Sequence, residues 1–123
     1  MSLNVLIVDD SAPVRKILYR VMIHADLPLG TVLEAGDGKE ALEIIKDVAI
    51  HLVLSDICMP NMDGLQLLRE LKSMDEYKRV PVLMITTEGS QSVAMEAAGL
   101  GAVGFVRKPF TAEQIKEKLQ GVL

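Results

Sequence analysis

Two adjacent carboxylates, Asp9 and Asp10, end the apolar run LNVLIV, and a third, Asp56, follows HLVLS. Two hydroxyls, Thr86 and Thr87, close VPVLMI, and Lys108 follows GFVR just ahead of Pro109. Each of these polar residues stands where an apolar stretch stops. Neighbouring like charges repel, so the Asp9–Asp10 pair is either a solvated turn or one side of a cation site. If the three acids converge within ~5 Å, each pair repels by about 3 kcal/mol at an effective dielectric of about 20. Such a cluster calls for a cation. A hard divalent ion with oxygen ligands suits it, and Mg²⁺ is the natural candidate because it accepts a few carboxylates while keeping several waters. Lys108 would be a mobile point charge able to meet an incoming anion, and Thr86 a hydroxyl donor. Metal, lysine and hydroxyl around one carboxylate make a phosphoryl-transfer arrangement, with Asp56 as the attacking oxygen and the cations stabilising the transferred group.

Each residue also has an ordinary reading. Asp9-Asp10 alone is more often a helix-capping turn than a metal site. Asp56 before ICMP could start a loop, Thr86 could be a strand residue, and a lysine such as Lys108 is usually solvated. What those readings leave unexplained is that all four positions fall at strand ends, on one edge.

The elements that would place them there are legible as alternating periods. Strands are expected over Leu3–Val8, Thr31–Ala35, His51–Ser55, Val80–Thr86 and Ala102–Arg107. Helical spacing lies between them: Val14, Ile17, Leu18, Val21 and Met22; then Ala41, Leu42, Ile44, Ile45 and Val48. Leu65, Leu68 and Leu71 mark a third helix, Val93, Ala94, Ala97 and Ala98 a fourth, and Ile115, Leu119 and Val122 a fifth. Ser11 caps the first helix with Pro13 in its first turn, where a missing N–H costs nothing. Asp37-Gly38 follows the second strand, Asp63-Gly64 opens the third helix, and Gly99, Gly101 and Gly104 loosen the return to the fifth strand. Five alternations of strand and helix predict an α/β fold, a parallel sheet covered by helices on both faces. In such a sheet ligands bind outside the carboxyl ends of the strands, near the point where strand order reverses. That is where the polar residues collect.

Composition narrows the function classes. A chain of 123 residues, half of them hydrophobic and spread throughout, makes one domain with a proper core, so 1–123 is read as a single unit. No apolar run reaches the ~20 residues of a membrane span, and the N-terminus lacks a secretory signal's basic start. A cytoplasmic protein with no membrane partner is expected. The single cysteine, Cys58, suits a reducing compartment. Aromatic content of 3% and a net charge of −4 supply neither base stacking nor phosphate neutralisation, so nucleic-acid binding is not expected. A redox role for Cys58 is disfavoured, because no second cysteine resolves it and nearby carboxylates quench a thiolate. His24 and His51 lack metal-ligand spacing, Met59 and Met62 read as packing, and Glu88 edges the site or begins the fourth helix.

Taken together, VLIVDDS, EAGDGKEAL, LVLSDICMPNMDGL, VPVLMITTE and GFVRKPFT closely resemble the receiver domain of two-component response regulators, the stand-alone chemotaxis receivers in particular. The resemblance covers nearly the whole chain. It implies a flavodoxin-like, doubly wound five-stranded sheet of order 2-1-3-4-5 with five helices. It also implies that Asp56 is the phosphoacceptor, modified by a sensor histidine kinase or phosphotransfer protein. Asp10, Asp56 and the backbone carbonyl of Cys58 would bind Mg²⁺, and Asp9 would act through metal-bound water. Lys108 would contact the phosphoryl oxygens, with a cis Lys108–Pro109 bond. Thr86 would hydrogen-bond the phosphorylated aspartate and pull its loop inward, and Phe105 would be the aromatic switch. The fourth helix, fifth strand and fifth helix would form the face that meets a downstream protein. Such a domain is a signalling switch that catalyses only its own phosphorylation and dephosphorylation. Three positions set its lifetime and readout apart from the usual receiver. Cys58 stands two places beyond the phosphoacceptor, Thr87 is bulkier than the family's usual residue, and Phe105 lacks the tyrosine hydroxyl.

Two other classes compete. An aspartate-nucleophile phosphatase of similar design has Asp-x-Asp after its first strand and an added cap. Here the spacing is Asp-Asp and no sequence is left for a cap. A flavin carrier presents hydroxyls and N–H groups to a phosphate in its first loop, which Asp9-Asp10 would repel.

Overall fold

Apolar runs pair into one parallel sheet because every run is too short and too continuous to be a half-buried helix. In the computed structural model, which describes residues 2–25, 27–87 and 91–122, the strands are β1 (Leu3–Val8), β2 (Leu29–Ala35), β3 (Leu52–Ser55), β4 (Val82–Thr86) and β5 (Gly104–Arg107). They alternate with α1 (Ala12–His24), α2 (Gly38–Asp47), α3 (Gly64–Ser73), α4 (Gln91–Gly99) and α5 (Ala112–Leu119). The sheet order is β2-β1-β3-β4-β5, the one the resemblance implies.

Burial follows the topology. Central β3 and β4 are buried at every position, whereas edge strands β2 and β5 carry exposed residues. Successive strand residues face opposite sides, which divides the core in two. Val5, Ile7, Leu52, Leu54, Leu83, Ile85 and Val106 pack with Leu18 and Met22 of α1 and Ile115 and Leu119 of α5. Leu6, Val8, Val53, Val82 and Met84 pack with residues of α2, α3 and α4 on the other side. Each fully buried leucine contributes roughly 2 kcal/mol from water exclusion alone.

Several helix ends are fixed chemically. Ser11 accepts from the Val14 N–H and Asp37 from the Glu40 N–H. Asp63 with Gln66 and Thr111 with Gln114 form complete capping boxes. Gly101, at φ 102°, occupies a backbone region where a side chain is strained.

Some expected boundaries and faces move. β2 begins at Leu29 rather than Thr31, β4 at Val82 rather than Val80, and β5 at Gly104 rather than Ala102. Ile17 keeps the helical period yet is 50% exposed. In α3 the buried leucines are Leu67, Leu68 and Leu71, with Leu65 partly covered. In α4 only Ala97 of the expected face is buried, and Ala98 is exposed.

Candidate functional site

Strand order reverses at β1, whose two neighbours are β2 and β3. The crevice outside the β1 and β3 carboxyl ends is where a doubly wound sheet binds ligands. Register sets what projects into it. Val8 pairs with Ser55, so Asp9 and Asp56 leave the sheet side by side, and the Asp56 N–H donates to the Val8 carbonyl at 2.9 Å. On the far side Thr86 pairs with Arg107, and the Lys108 N–H donates to the Thr86 carbonyl at 2.9 Å. Asp9, Asp56, Thr86 and Lys108 therefore stand together on one edge of the sheet.

Carboxylate oxygens of Asp9, Asp10 and Asp56 all lie within 4.8 Å of one another. Asp9 is 1% exposed and Asp56 7%, while Asp10 faces solvent. Lys108 reaches into the same space, its Nζ 2.7 Å from Asp9 Oδ2 and 3.4 Å from Asp56 Oδ2. Burial disfavours its ammonium, but the Asp9 hydrogen bond and the charges of Asp56 and Asp9 outweigh that and raise its pKa above the ordinary lysine value. Lys108 is charged throughout the neutral range.

The remaining carboxylate oxygens are assigned unequally. Asp9 Oδ1 accepts from the Ser11 N–H at 2.9 Å, and Asp56 Oδ1 from the Ile57 N–H at 2.7 Å. Asp56 thus has one oxygen held by backbone and one, Oδ2, turned toward Lys108. Among the described residues Asp10 makes no side-chain hydrogen bond. The donor set is all oxygen, anionic and partly open, which fits a hard divalent cation and not a thiolate- or imidazole-selecting metal.

The loop after β3 is held from below. The Gly64 N–H donates to the Ile57 carbonyl at 2.8 Å, and a Cβ at Gly64 would overlap the Asp56 carbonyl oxygen, so only glycine fits there. The same loop is tied to the loop after β2: Asn61 Nδ2 donates to Asp37 Oδ2 at 2.8 Å, and the Gly38 N–H to the Met62 carbonyl at 3.1 Å. Asn61 adopts φ 66°, a left-handed conformation that its short polar side chain tolerates. Cys58, exposed, lies in this loop.

Thr86 is fully buried at the end of β4 and Thr87 is exposed. Phe105, half-buried on β5, lines two grooves. One, about 370 Å³, runs along α5 with Arg107, Gln114 and Lys118; the other, about 210 Å³, lies against Ala94, Ala98 and Val103 of the α4 side. The Lys108–Pro109 bond is cis. Glu88 lies outside the described residues. His24 is exposed in the last turn of α1, and His51 accepts the Asn4 N–H on Nδ1 at 2.9 Å, which ties β1 to the start of β3.

One contact had no signal in the sequence. Arg15 of α1 donates from a terminal guanidinium nitrogen to the main-chain carbonyl of Asp9 at 2.6 Å, while its Nε meets Glu34 Oε1 of β2 at 3.0 Å. Lys16 holds the other Glu34 oxygen at 2.6 Å. The Lys16 hydrogen bond, opposed by burial and joined by Arg15, keeps the Glu34 carboxyl below its usual range.

Known proteins resemble the chain along its whole length. The family model described as "Response regulator receiver domain" matches residues 5–120. "Chemotaxis protein CheY-3" of Vibrio cholerae is 39% identical over 121 residues, covering 98% of this chain and 92% of that protein. "Chemotaxis protein CheY" of Pseudomonas aeruginosa is 37% identical over 120 residues, covering 98% and 95%. Among solved structures, a chain of the CheX-CheY-BeF3-Mg complex from Borrelia burgdorferi superposes with a TM-score of 0.88 at 31% identity, covering 98% and 88%.

Proposed function

Because the chain belongs to the response regulator receiver domain family, a family of two-component signalling switches, we propose that it accepts a phosphoryl group on Asp56 from a phosphohistidine. The donor is a sensor histidine kinase or a phosphotransfer protein, and the product switches a protein-binding face. The observation that carries this reading is the convergence of three carboxylates within 4.8 Å, two of them paired with the ammonium of a single lysine. Acids so placed serve no packing purpose. Their mutual repulsion is tolerable only beside a cation.

Asp10 and Asp56 would hold Mg²⁺ together with the Cys58 carbonyl, and Asp9 would act through water. The metal supplies positive charge that screens the acids and stabilises the oxygens of the transferred group. The chain's own residues do the rest. The Ile57 N–H fixes Asp56 Oδ1 and leaves Oδ2 as the attacking atom. The new bond joins Oδ2 to phosphorus as the phosphorus–nitrogen bond of the donor breaks, and the leaving imidazole keeps that electron pair. Lys108 already points at Oδ2, so its ammonium passes to a phosphoryl oxygen by a short movement. The Thr86 hydroxyl then donates to the same group and draws the end of β4 inward.

That movement reaches the surface through Phe105. Its ring lies between the two grooves, with room on the α4 side to turn inward. Turning changes the α4–β5–α5 face offered to a downstream protein, a population shift driven by one added charge. The same reading makes residues 1–123 one receiver unit working in the cytoplasm. Among the described residues no helix is long and apolar enough to cross a membrane.

The test is uptake of phosphate from a small donor, acetyl phosphate or phosphoramidate, followed by intact mass. With Mg²⁺ present the protein gains one phosphoryl group, and with excess chelator it gains none. A wild-type chain that stays unmodified with metal and donor both present sinks the reading.

A further inference from the structure

In this structure Lys108 helps hold Asp9 in place, yet phosphoryl transfer takes Lys108 away. Something independent of Lys108 must then keep the Asp9–Asp10 turn in its metal-binding shape. We propose that Arg15, clamped by Glu34, is the positioning residue for the acidic site. It fixes the peptide between Asp9 and Asp10 and so sets the affinity for Mg²⁺. This inference rests on the metal-binding reading given above.

The geometry is specific. The Asp9 carbonyl that accepts from Arg15 at 2.6 Å belongs to the peptide joining Asp9 to Asp10. Its direction fixes the plane of that peptide, and with it the bearing of the Asp10 side chain. Asp10 makes no side-chain hydrogen bond of its own among the described residues, so the backbone alone aims it. Arg15 is itself held: its side chain is 19% exposed and paired with Glu34 at 3.0 Å. The brace therefore ties the end of β1 to α1 and β2, and none of these contacts involves β4 or β5, where the switch lies. Glu34, shared with Lys16, offsets only part of the Arg15 charge. The guanidinium meets the acidic turn through a main-chain carbonyl, however, so the brace orients the acids without occupying their carboxylate oxygens. The two bonds leave different nitrogens of one planar guanidinium. A lysine ammonium at the end of a flexible stem does not reproduce that fork.

Mg²⁺ binding to the whole chain, measured by titration calorimetry beside urea unfolding, separates positioning from simple stabilisation. Supporting groups of this kind change metal affinity by roughly 10–100-fold. Arg15→Ala is expected to raise the Mg²⁺ dissociation constant about tenfold. Arg15→Lys should weaken binding nearly as much, and Glu34→Ala should weaken it by a smaller factor. The Ser11 amide, which donates to Asp9 Oδ1, should exchange its hydrogen faster in all three. A folded Arg15→Ala chain with the wild-type dissociation constant overturns the inference. If that variant does not fold, wild-type affinity in both Arg15→Lys and Glu34→Ala overturns it equally. A wild-type chain that binds no Mg²⁺ removes the functional reading and this inference together, whereas metal binding indifferent to the variants removes the inference alone.

Discussion

Asp56→Asn is expected to lower phosphate uptake by at least about a thousandfold, to the background of the assay, as removal of a nucleophile does elsewhere. The substitution is nearly isosteric. An amide oxygen can still accept from the Ile57 N–H, as Asp56 Oδ1 does at 2.7 Å, so the loop keeps its shape. What is lost is the anionic lone pair on the second oxygen, and an amide nitrogen cannot replace it as a nucleophile. Neither Asp9 nor Asp10 can take over. Asp9 is the more deeply buried acid and its Oδ2 is bound by Lys108 at 2.7 Å, against 3.4 Å for Asp56 Oδ2, and Asp10 stands at the solvent side of the cluster. Intact mass after incubation with acetyl phosphate and Mg²⁺ reads the result directly. Labelling of the variant at the wild-type rate would move the chemistry to another residue.

Lys108→Met should destabilise the metal-free protein by about 3 kcal/mol, the range found when one partner of a buried ion pair is removed. Methionine keeps the apolar stem, so the change isolates the charge. Two buried acids, Asp9 at 1% and Asp56 at 7% exposure, would face each other with no cation between them. In the wild type the same contribution has a defined pH window. The folded-state pKa of Lys108 is raised above 10.5, so its stabilisation is complete below that value and is lost as pH climbs through the folded-state pKa. Mg²⁺ should stabilise the variant more than the wild type, because the metal no longer displaces an ammonium from the acids. Urea unfolding with and without Mg²⁺ measures both effects. A variant as stable as the wild type in chelator would mean that Lys108 does not neutralise the cluster.

Much of this site is legible in the sequence because parallel strands advertise their ends. Val8, Ser55, Thr86 and Arg107 are the last residues of their strands, and the crevice lies outside those ends. Apolar continuity alone therefore brings Asp9, Asp56, Thr86 and Lys108 to one edge. Strand starts are less visible. β2 begins at Leu29 beside Pro28 and Gly30, two residues that argue against a strand locally. The bond from the Leu3 N–H to the Pro28 carbonyl and the register shift between Leu3 and Val5 carry the pairing back that far. Ala102 and Val103 look like strand but precede the ladder, although the Val103 N–H still reaches the Val82 carbonyl.

Contacts that join distant positions leave no periodic trace. Arg15 and Glu34 are ordinary charged residues on an amphipathic helix and an edge strand until the fold places them 3.0 Å apart. The same holds for His51 and Asn4, and for the tie between Asn61 and Asp37. Periodicity likewise predicts a stripe but not its coverage, which is why Ile17 and Ala98 satisfy the helical pattern and remain exposed.

Borohydride reduction of the chain after reaction with phosphoramidate and Mg²⁺, followed by peptide mapping, tests the account where it is most exposed. An acyl phosphate on a side chain is reduced to the alcohol, which marks the modified aspartate permanently. The account predicts homoserine at position 56 and at no other aspartate. Homoserine at position 9 or 10, or none anywhere in a chain whose mass had risen by one phosphoryl group, would contradict it.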